Sequence, residues 1–341
     1  MLKIEYSKIF FVFSDVAGAN AILSIVDNLV KKGKVQQKDF FIFSDINRKY
    51  FLNYKINIVQ NDFETIENLV DKFKPQYLFS ATSFHNYEHN WRKYFVKNSI
   101  PCSAFIDHWV YYKRRFTFDN ETVYPNTIYV INKIAKIEAL KEGLPLNSIK
   151  VIGNPYYSKV KEFKPKINRK SFFKSIGIKN NKKLITFVSE NIKTDIPKDK
   201  NGKSILGFDE YESLIKMFNA LEELSKTMNE VLDFNYVIKI HPISKKNKFN
   251  NILNSFKIFK NIKVVKEVNP LLLNYYSDYI CGMFSNMLIE ALLMRRKVCR
   301  IQIDQKIDLF KFDEIECKPI INYEILKYKL KNDFNYILNE K

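Results

Sequence analysis

Short apolar runs alternate with longer amphipathic stretches along the whole chain, a pattern that predicts α/β layers around parallel sheets. The first run, Ile9–Phe13, is apolar at every position and reads as a strand buried on both faces. A turn of small residues follows, Ser14 to Asn20. Ile22, Ile25, Val26, Leu29 and Val30 then recur at helical spacing, with Gly33 as the stop. Further strands are predicted at Phe40–Phe43, Ile56–Val59, Tyr77–Ser80, Ser103–Ile106, Ile128–Ile131 and Lys150–Ile152. Helices fit between most of them, among them Phe63–Phe73 and Ala135–Glu142.

After Gly153-Asn154-Pro155 the pattern breaks. Residues 161–170, KEFKPKINRK, are polar and read as the start of an interdomain connection. A second alternating set then predicts strands at Leu184–Val188, Asn235–Ile240, Ile262–Val265, Asp278–Cys281 and Val298–Ile301. Its helices are expected at Glu210–Thr227, Lys248–Phe256, Leu271–Tyr276 and Ser285–Met294. The organisation expected is a Rossmann-like domain over 1–160, a second over 161–322, and a terminal helix over 323–341 packing back on the first. Doubly wound sheets bind ligands where strand C-termini open onto loops. The loops after strands, lining a cleft between two facing sheets, are therefore the places to look for chemistry.

Composition narrows the classes. The 341 residues suffice for two cores, and 46% apolar content excludes general disorder. Four scattered cysteines form no CxxC pair, and no Cys/His cluster has zinc spacing, which predicts free thiols and a cytoplasmic setting. The apolar run near the start is too short for a span or a signal peptide. The net charge of +19 sits largely on lysines of solvated faces. It also suits anionic ligands and peripheral contact with the inner face of an anionic membrane. Without a zinc finger, RNP motif or recognition helix it does not argue for nucleic acid.

Two segments of the second half carry anion-binding chemistry. In Ile238-Lys239-Ile240-His241-Pro242, proline stops a buried strand and sets His241 at its C-terminal edge, with Lys239 adding charge. In Cys281 to Ala291, Gly282 turns the chain and Ser285 caps a helix. Free amides there suit a phosphate, Ser285 and Asn286 add side-chain donors, and Glu290 can accept from ribose or sugar hydroxyls. Ser189 and Glu190, in Val188-Ser189-Glu190-Asn191, follow another strand.

Together these segments resemble GT-B glycosyltransferases, most of all the bacterial sialyl-, Kdo- and surface-polysaccharide transferases with an HP motif and a Ser-rich helix start. His241 and Pro242 match the HP motif. Ser285 and Asn286 stand where those enzymes carry a Ser pair, the second serine replaced here by Asn. Glu290 matches their acidic helix residue, and Gly153-Asn154-Pro155 resembles the turn that ends their first domain. The resemblance implies a nucleotide-sugar donor held by Ser189, Glu190, Lys239, His241, Pro242, Gly282, Ser285, Asn286 and Glu290. A CMP-linked acidic sugar is favoured, with a UDP-sugar as the other option. It implies a glycan or lipid-linked glycan acceptor in capsule or lipopolysaccharide biosynthesis.

The first half supplies candidates for the acceptor and the base. Asp15, in the first strand–helix turn with Gly18 and Asn20, can reach an acceptor hydroxyl. Asp107 and His108 follow the Ser103–Ile106 strand and are the alternative base. Trp109 can stack on a sugar, and Arg114 and Arg115 can hold an anion in bidentate fashion. His85 and His89 read as exposed loop residues. No Asp-rich triplet follows a strand, so neither a metal nor a cofactor is expected. The alternatives are a nucleotide-sugar 2-epimerase or hydrolase of the same fold, a CDP-alcohol phosphotransferase, and a non-catalytic binder of anionic polymer.

Overall fold

The computed structural model describes residues 8–46, 58–60, 64–228 and 232–339. Within them the chain divides into two compact units between Lys159 and Val160.

Unit 1 contains β1 (Ile9–Phe13), α1 (Val16–Lys31), β2 (Phe40–Ser44), β3 (Ile58–Gln60), α2 (Ile66–Phe73), β4 (Tyr77–Ser80), α3 (Asn86–Lys97) and β5 (Cys102–Ile106). It continues through β6 (Thr117–Phe118), β7 (Glu121–Thr122), β8 (Thr127–Val130), α4 (Lys133–Lys141) and β9 (Ile149–Val151). Unit 2 begins within α5 (Tyr156–Lys161) and runs through α6 (Arg169–Ile176), β10 (Leu184–Val188), α7 (Ile192–Asp195), α8 (Glu210–Met228), β11 (Asn235–Lys239) and α9 (Asn250–Leu253). It ends with β12 (Ile262–Val265), α10 (Pro270–Tyr276), β13 (Tyr279–Gly282), α11 (Asn286–Leu293), β14 (Val298–Ile301), β15 (Pro319–Ile320) and α12 (Tyr323–Asn339).

Each unit is a doubly wound parallel sheet. Seven strands are ordered β3-β2-β1-β4-β5-β8-β9 in unit 1, and six are ordered β12-β11-β10-β13-β14-β15 in unit 2. All their pairings are parallel; the separate β6–β7 hairpin is antiparallel. Strand order reverses between β1 and β4 in one sheet and between β10 and β13 in the other. The crevices outside those strand ends are the topological switch points where such sheets bind ligands.

Burial explains the strands. Every residue of β1, β5, β10, β11 and β13 is buried, as central strands covered by helices on both faces require. Phe10, Val12, Phe43, Trp91 and Phe95 form one core of unit 1. Phe187, Leu214, Phe218, Tyr236 and Cys281 anchor the larger core of unit 2. α1 buries Ile22, Leu23, Ile25, Val26 and Leu29, whereas Val30, expected on that face, is exposed. α10 starts with Asn269 capping Leu272 N and Pro270 in the first turn, where proline's missing N–H costs nothing.

Three stretches differ from the sequence expectation. Residues 86–97 form a helix, so His89 is a buried helical residue and His85 the exposed position before it. The polar connection expected over 161–170 runs into α6, which buries Phe172 and Phe173. The terminal helix, expected to reach back to the first domain, sends Leu326, Leu330, Phe334 and Ile337 into unit 2's own core. There Phe334 meets Phe234 and Tyr279 edge-on. Ile56 of an expected strand and Phe63 of an expected helix lie outside the described residues. Because Phe334 is fully buried, Phe334→Ala should destabilise unit 2 by about 3–5 kcal/mol. An unchanged urea midpoint would contradict this placement of α12.

Candidate functional site

Unit 1 gathers its ionisable groups at the strand ends around its switch point. Asp15 follows β1 and caps α1, its Oδ1 accepting from Gly18 N at 2.6 Å. Asp107 follows β5 and is buried, with neither carboxyl oxygen hydrogen-bonded. His108 Nε2 lies 3.6 Å from Asp107 Oδ2. The three residues named as base candidates thus belong to one electrostatic group. Burial raises the Asp15 carboxyl, and the Asp107 charge raises it further. Burial lifts Asp107 to about 6 against the lowering pull of Arg115. Burial, then the Arg115 charge, lowers His108 to about 4, so its imidazole is neutral at pH 7 and its contact with Asp107 is not an ion pair.

A fourth group, absent from the sequence reading, completes the cluster. Glu88 of α3 is buried, and burial pushes it up to about 7. Ser83 Oγ lies 2.5 Å from its Oε2, while its Oε1 has no partner. Arg92, one turn on and fully buried, bonds to Ser80 Oγ, Ala81 O and Arg115 O. The i, i+4 Glu–Arg spacing in a segment that also carries Trp91 and Phe95 was the available sequence signal.

The other expected acceptor contacts have structural work. Trp109 is buried, and its Nε1 donates to Asn132 Oδ1 at 3.2 Å. Arg115 is buried, bonds to Val110 O and Thr82 O, and lies over the Phe84 ring. It therefore anchors the loop after β5 and faces the acids, rather than offering an open fork. Arg114 is exposed, 5.0 Å from the Phe84 ring centroid. Gly18 serves packing: a Cβ there would stand 2.6 Å from the Ala81 Cβ. Asn20 is half-buried within α1, its carbonyl accepting from Ser24 Oγ.

Unit 2 builds its strand-end cluster differently. Glu190 follows β10, and its Oε1 accepts from Phe284 N at 2.9 Å, linking the two loops of the switch point. Its Oε2 is buried without a partner, and burial lifts the carboxyl to about 8. Gly282 allows that approach, since a Cβ would lie 3.0 Å from Val188 O. Ser285 caps α11 through Met287 N, and Asn286 is exposed at its first turn. Glu290 is buried on the same helix, where Asn274 Nδ2 donates to its Oε2 at 3.3 Å.

His241 lies two residues beyond β11, next to exposed Pro242, with Nδ1 3.4 Å from Asn191 Nδ2. Burial lowers its pKa, so it is neutral at pH 7. Lys239 is buried, its Nζ donating to Ile240 O at 2.8 Å. Ser189 is buried and donates to Glu190 O. Lys248, Glu210 and Ser244, missed from sequence, support this corner. Lys248 Nζ pairs with Glu210 at 2.8 Å and donates to Glu190 O and Asn191 Oδ1. Ser244 Oγ donates to Asn191 Oδ1 at 2.6 Å. A groove of about 770 Å³ opens beside them, lined by Asn191, Lys193, Asp195, Lys245 and Lys248 among others. Among the described residues no group of three His, Cys, Asp or Glu is arranged to hold a metal, and no helix is long and apolar enough to cross a membrane.

No family model and no curated relative matches this chain. Solved structures do. UDP-GlcNAc 2-epimerase from Neisseria meningitidis, bound to UDP-GlcNAc, has a TM-score of 0.64 at 12% identity, covering 98% of this chain and 92% of its own. The Methanocaldococcus jannaschii UDP-GlcNAc 2-epimerase, in complex with UDP-GlcNAc and UDP, has a TM-score of 0.58 at 18% identity, covering 98% and 93%. Anabaena HepE in complex with UDP has a TM-score of 0.60 at 9% identity, covering 96% and 90%. The fold is therefore the GT-B type of two Rossmann-like units that these proteins share. None of these three is a sialyl- or Kdo-transferase.

The Glu190 carboxyl yields a prediction. Its pKa rises from 4.5 in the unfolded chain to about 8 in the fold, so the folded form binds the proton more tightly. The stability this proton gives is complete below about pH 4.5 and is lost as pH rises through 8. Wild-type stability should fall between pH 5 and 9, and Glu190→Gln, which stays neutral, should flatten that fall. Parallel urea-midpoint profiles for the two proteins would refute the assignment.

Proposed function

We propose that this chain is a nucleotide-sugar 2-epimerase acting on a UDP-linked sugar. Of the readings open from sequence, this one has the support of the solved structures that the chain resembles. Glycosyl transfer and the preference for a CMP-linked acidic sugar have none. The observation that carries the proposal is the placement of Asp15 and Asp107 at the C-terminal ends of β1 and β5, where burial raises both carboxyls and the Asp107 charge raises Asp15 further. Inverting a sugar carbon means taking a proton from one face and returning one to the other, so the chemistry needs two proton carriers. A transferase needs one base and an acceptor.

The C2 proton of a sugar has no carbonyl beside it. It becomes removable when the diphosphate on the neighbouring anomeric carbon departs, so the reaction also needs groups that hold phosphate. Unit 2 offers the start of α11 with Ser285 and Asn286, and the neutral imidazole of His241 as a hydrogen-bond donor. In this reading Asp15 and Asp107 carry the protons, with neutral His108 beside them. No metal, cofactor, glycan acceptor or membrane contact is assigned a part.

Incubation with UDP-N-acetylglucosamine alone should give the C2-inverted product, and in D2O the product should carry deuterium at C2 by NMR. Asp107→Asn should lower kcat by about 100-fold or more. His241→Ala and Ser285→Ala should shrink the rise in Tm that UDP produces. Turnover that occurs only when a glycan acceptor is added, with no label at C2, would replace this reading with the transferase.

A further inference from the structure

Within the epimerase reading, on which this inference rests, the sugar is for a moment held only through its own ring. The C2 proton passes to an acid of unit 1, the C2–H electron pair becomes a C1–C2 double bond, and UDP leaves with the electrons of the C1–O bond. The products are UDP, an unsaturated sugar and a protonated acid, so atoms and electrons balance. The nucleotide no longer tethers the sugar, and the return step needs groups that grip the ring itself. A further charge there would disturb the acids, whereas an aromatic face would not.

Three exposed apolar side chains stand at the end of the sheet that carries those acids. Strands β1, β4 and β5 are neighbours in it. Val16 follows Asp15 after β1, Phe84 follows Ser83 after β4, and Tyr111 shares with Asp107 and His108 the loop after β5. Val16, Phe84 and Tyr111 are 48%, 45% and 44% exposed. The Phe84 and Tyr111 rings meet edge to face, with centroids 5.9 Å apart at 71°.

Arg115 holds the two rings together. Its guanidinium donates to Thr82 O at 2.8 Å on one loop and to Val110 O at 3.3 Å on the other, and its Cζ lies 4.5 Å from the Phe84 centroid. One buried cation thus fixes the backbones next to both rings. Exposed Arg114 lies against the same Phe84 ring, at 5.0 Å. Phe84 keeps its exposure with both guanidiniums in place. Tyr111 has a left-handed backbone, φ 59°, which a residue with a Cβ enters at a cost. Glycine would make that turn without strain. The turn buries Tyr112 fully and leaves the Tyr111 ring facing outward.

We propose that Phe84 and Tyr111 form a stacking platform for the sugar ring of the UDP-linked substrate, which keeps the unsaturated sugar in unit 1 after UDP departs. A uracil ring offers the same kind of face. The sugar is the occupant because the platform shares its loops with the proton carriers, whose target is a sugar carbon.

The test uses the whole chain. By calorimetry, Phe84→Ala and Tyr111→Ala should each weaken the binding of UDP-N-acetylglucosamine about five- to tenfold and leave that of UDP unchanged. Phe84→Tyr and Tyr111→Phe, which return a ring, should bind both as the wild type does. In turnover, both alanine variants should release about fivefold or more UDP and unsaturated sugar per C2-inverted product. Tyr111→Gly relieves the backbone, and should lose the sugar's share of affinity without lowering the urea midpoint. Equal weakening of UDP and UDP-N-acetylglucosamine assigns the rings to the base and overturns the proposal. Unchanged affinity for both, no binding of UDP-N-acetylglucosamine by the wild type, or a Tyr111→Gly midpoint that falls together with the affinity also overturns it. If the affinity split holds while no C2 inversion is seen, the hold on the sugar stands and the epimerase reading fails. If both alanine variants invert C2 at the wild-type KM with no added release, the platform fails and the epimerase reading stands.

Discussion

The cost of placing a carboxylate where water cannot reach it governs both units. Asp107, Glu88 and Glu190 each sit at the C-terminal side of a parallel sheet, and each has at least one oxygen with no hydrogen-bond partner. A carboxylate so placed either finds a cation or keeps its proton. Arg115 and Arg92 stand near the two acids of unit 1, yet both donate mainly to backbone carbonyls and offset burial only partly. The result is a set of acids raised out of the ordinary carboxylate range, which is the condition for proton transfer at neutral pH.

The two sheets solve the same geometric problem at their switch points. In unit 1, the Ser83–Ser14 contact joins the loops after β4 and β1, and α1 approaches closely at Gly18. In unit 2, the Phe284–Glu190 hydrogen bond joins the loops after β13 and β10, and the close approach is at Gly282. The chemistry that fills this shared frame differs. One unit has several interacting acids and a neutral imidazole. The other has an amide-rich helix start, amide and hydroxyl side chains, and Lys248 neutralised by Glu210.

The strands were legible because central parallel strands are largely apolar runs, and Ile9–Phe13, Tyr77–Ser80 and Leu184–Val188 coincide with the structure. α3 was not, because its inward face carries Glu88, His89 and Arg92 beside Trp91 and Phe95. Polar residues on a buried face erase the helical hydrophobic period on which such readings depend. The destination of α12 was equally hidden: its apolar spacing predicts a helix that packs, and says nothing of which surface receives it. At the site, Asp15, Asp107 and His108 could be found because each follows a strand. Trp109 and Arg115 follow the same strand as Asp107, but the loop beyond it turns both inward, and side chains suited to a sugar became packing and backbone anchors. Ser83, which hydrogen-bonds the buried Glu88, carries no sequence signal, since a hydroxyl's partners are set only by its neighbours in space.

Nucleotide-sugar enzymes of this fold can donate a sugar to an acceptor or remake the sugar in place, and the fold alone does not choose between them. The count of proton carriers does bear on the choice. Transfer to a hydroxyl ends with one proton taken from the acceptor, and a single base suffices. Epimerisation takes a proton from one face of a carbon and returns one to the other, so it needs two carriers. An array in which the Asp107 charge raises Asp15, while Arg115 lowers both, exceeds what one base requires. Burying so many acids carries a cost in stability that a lone base would not impose.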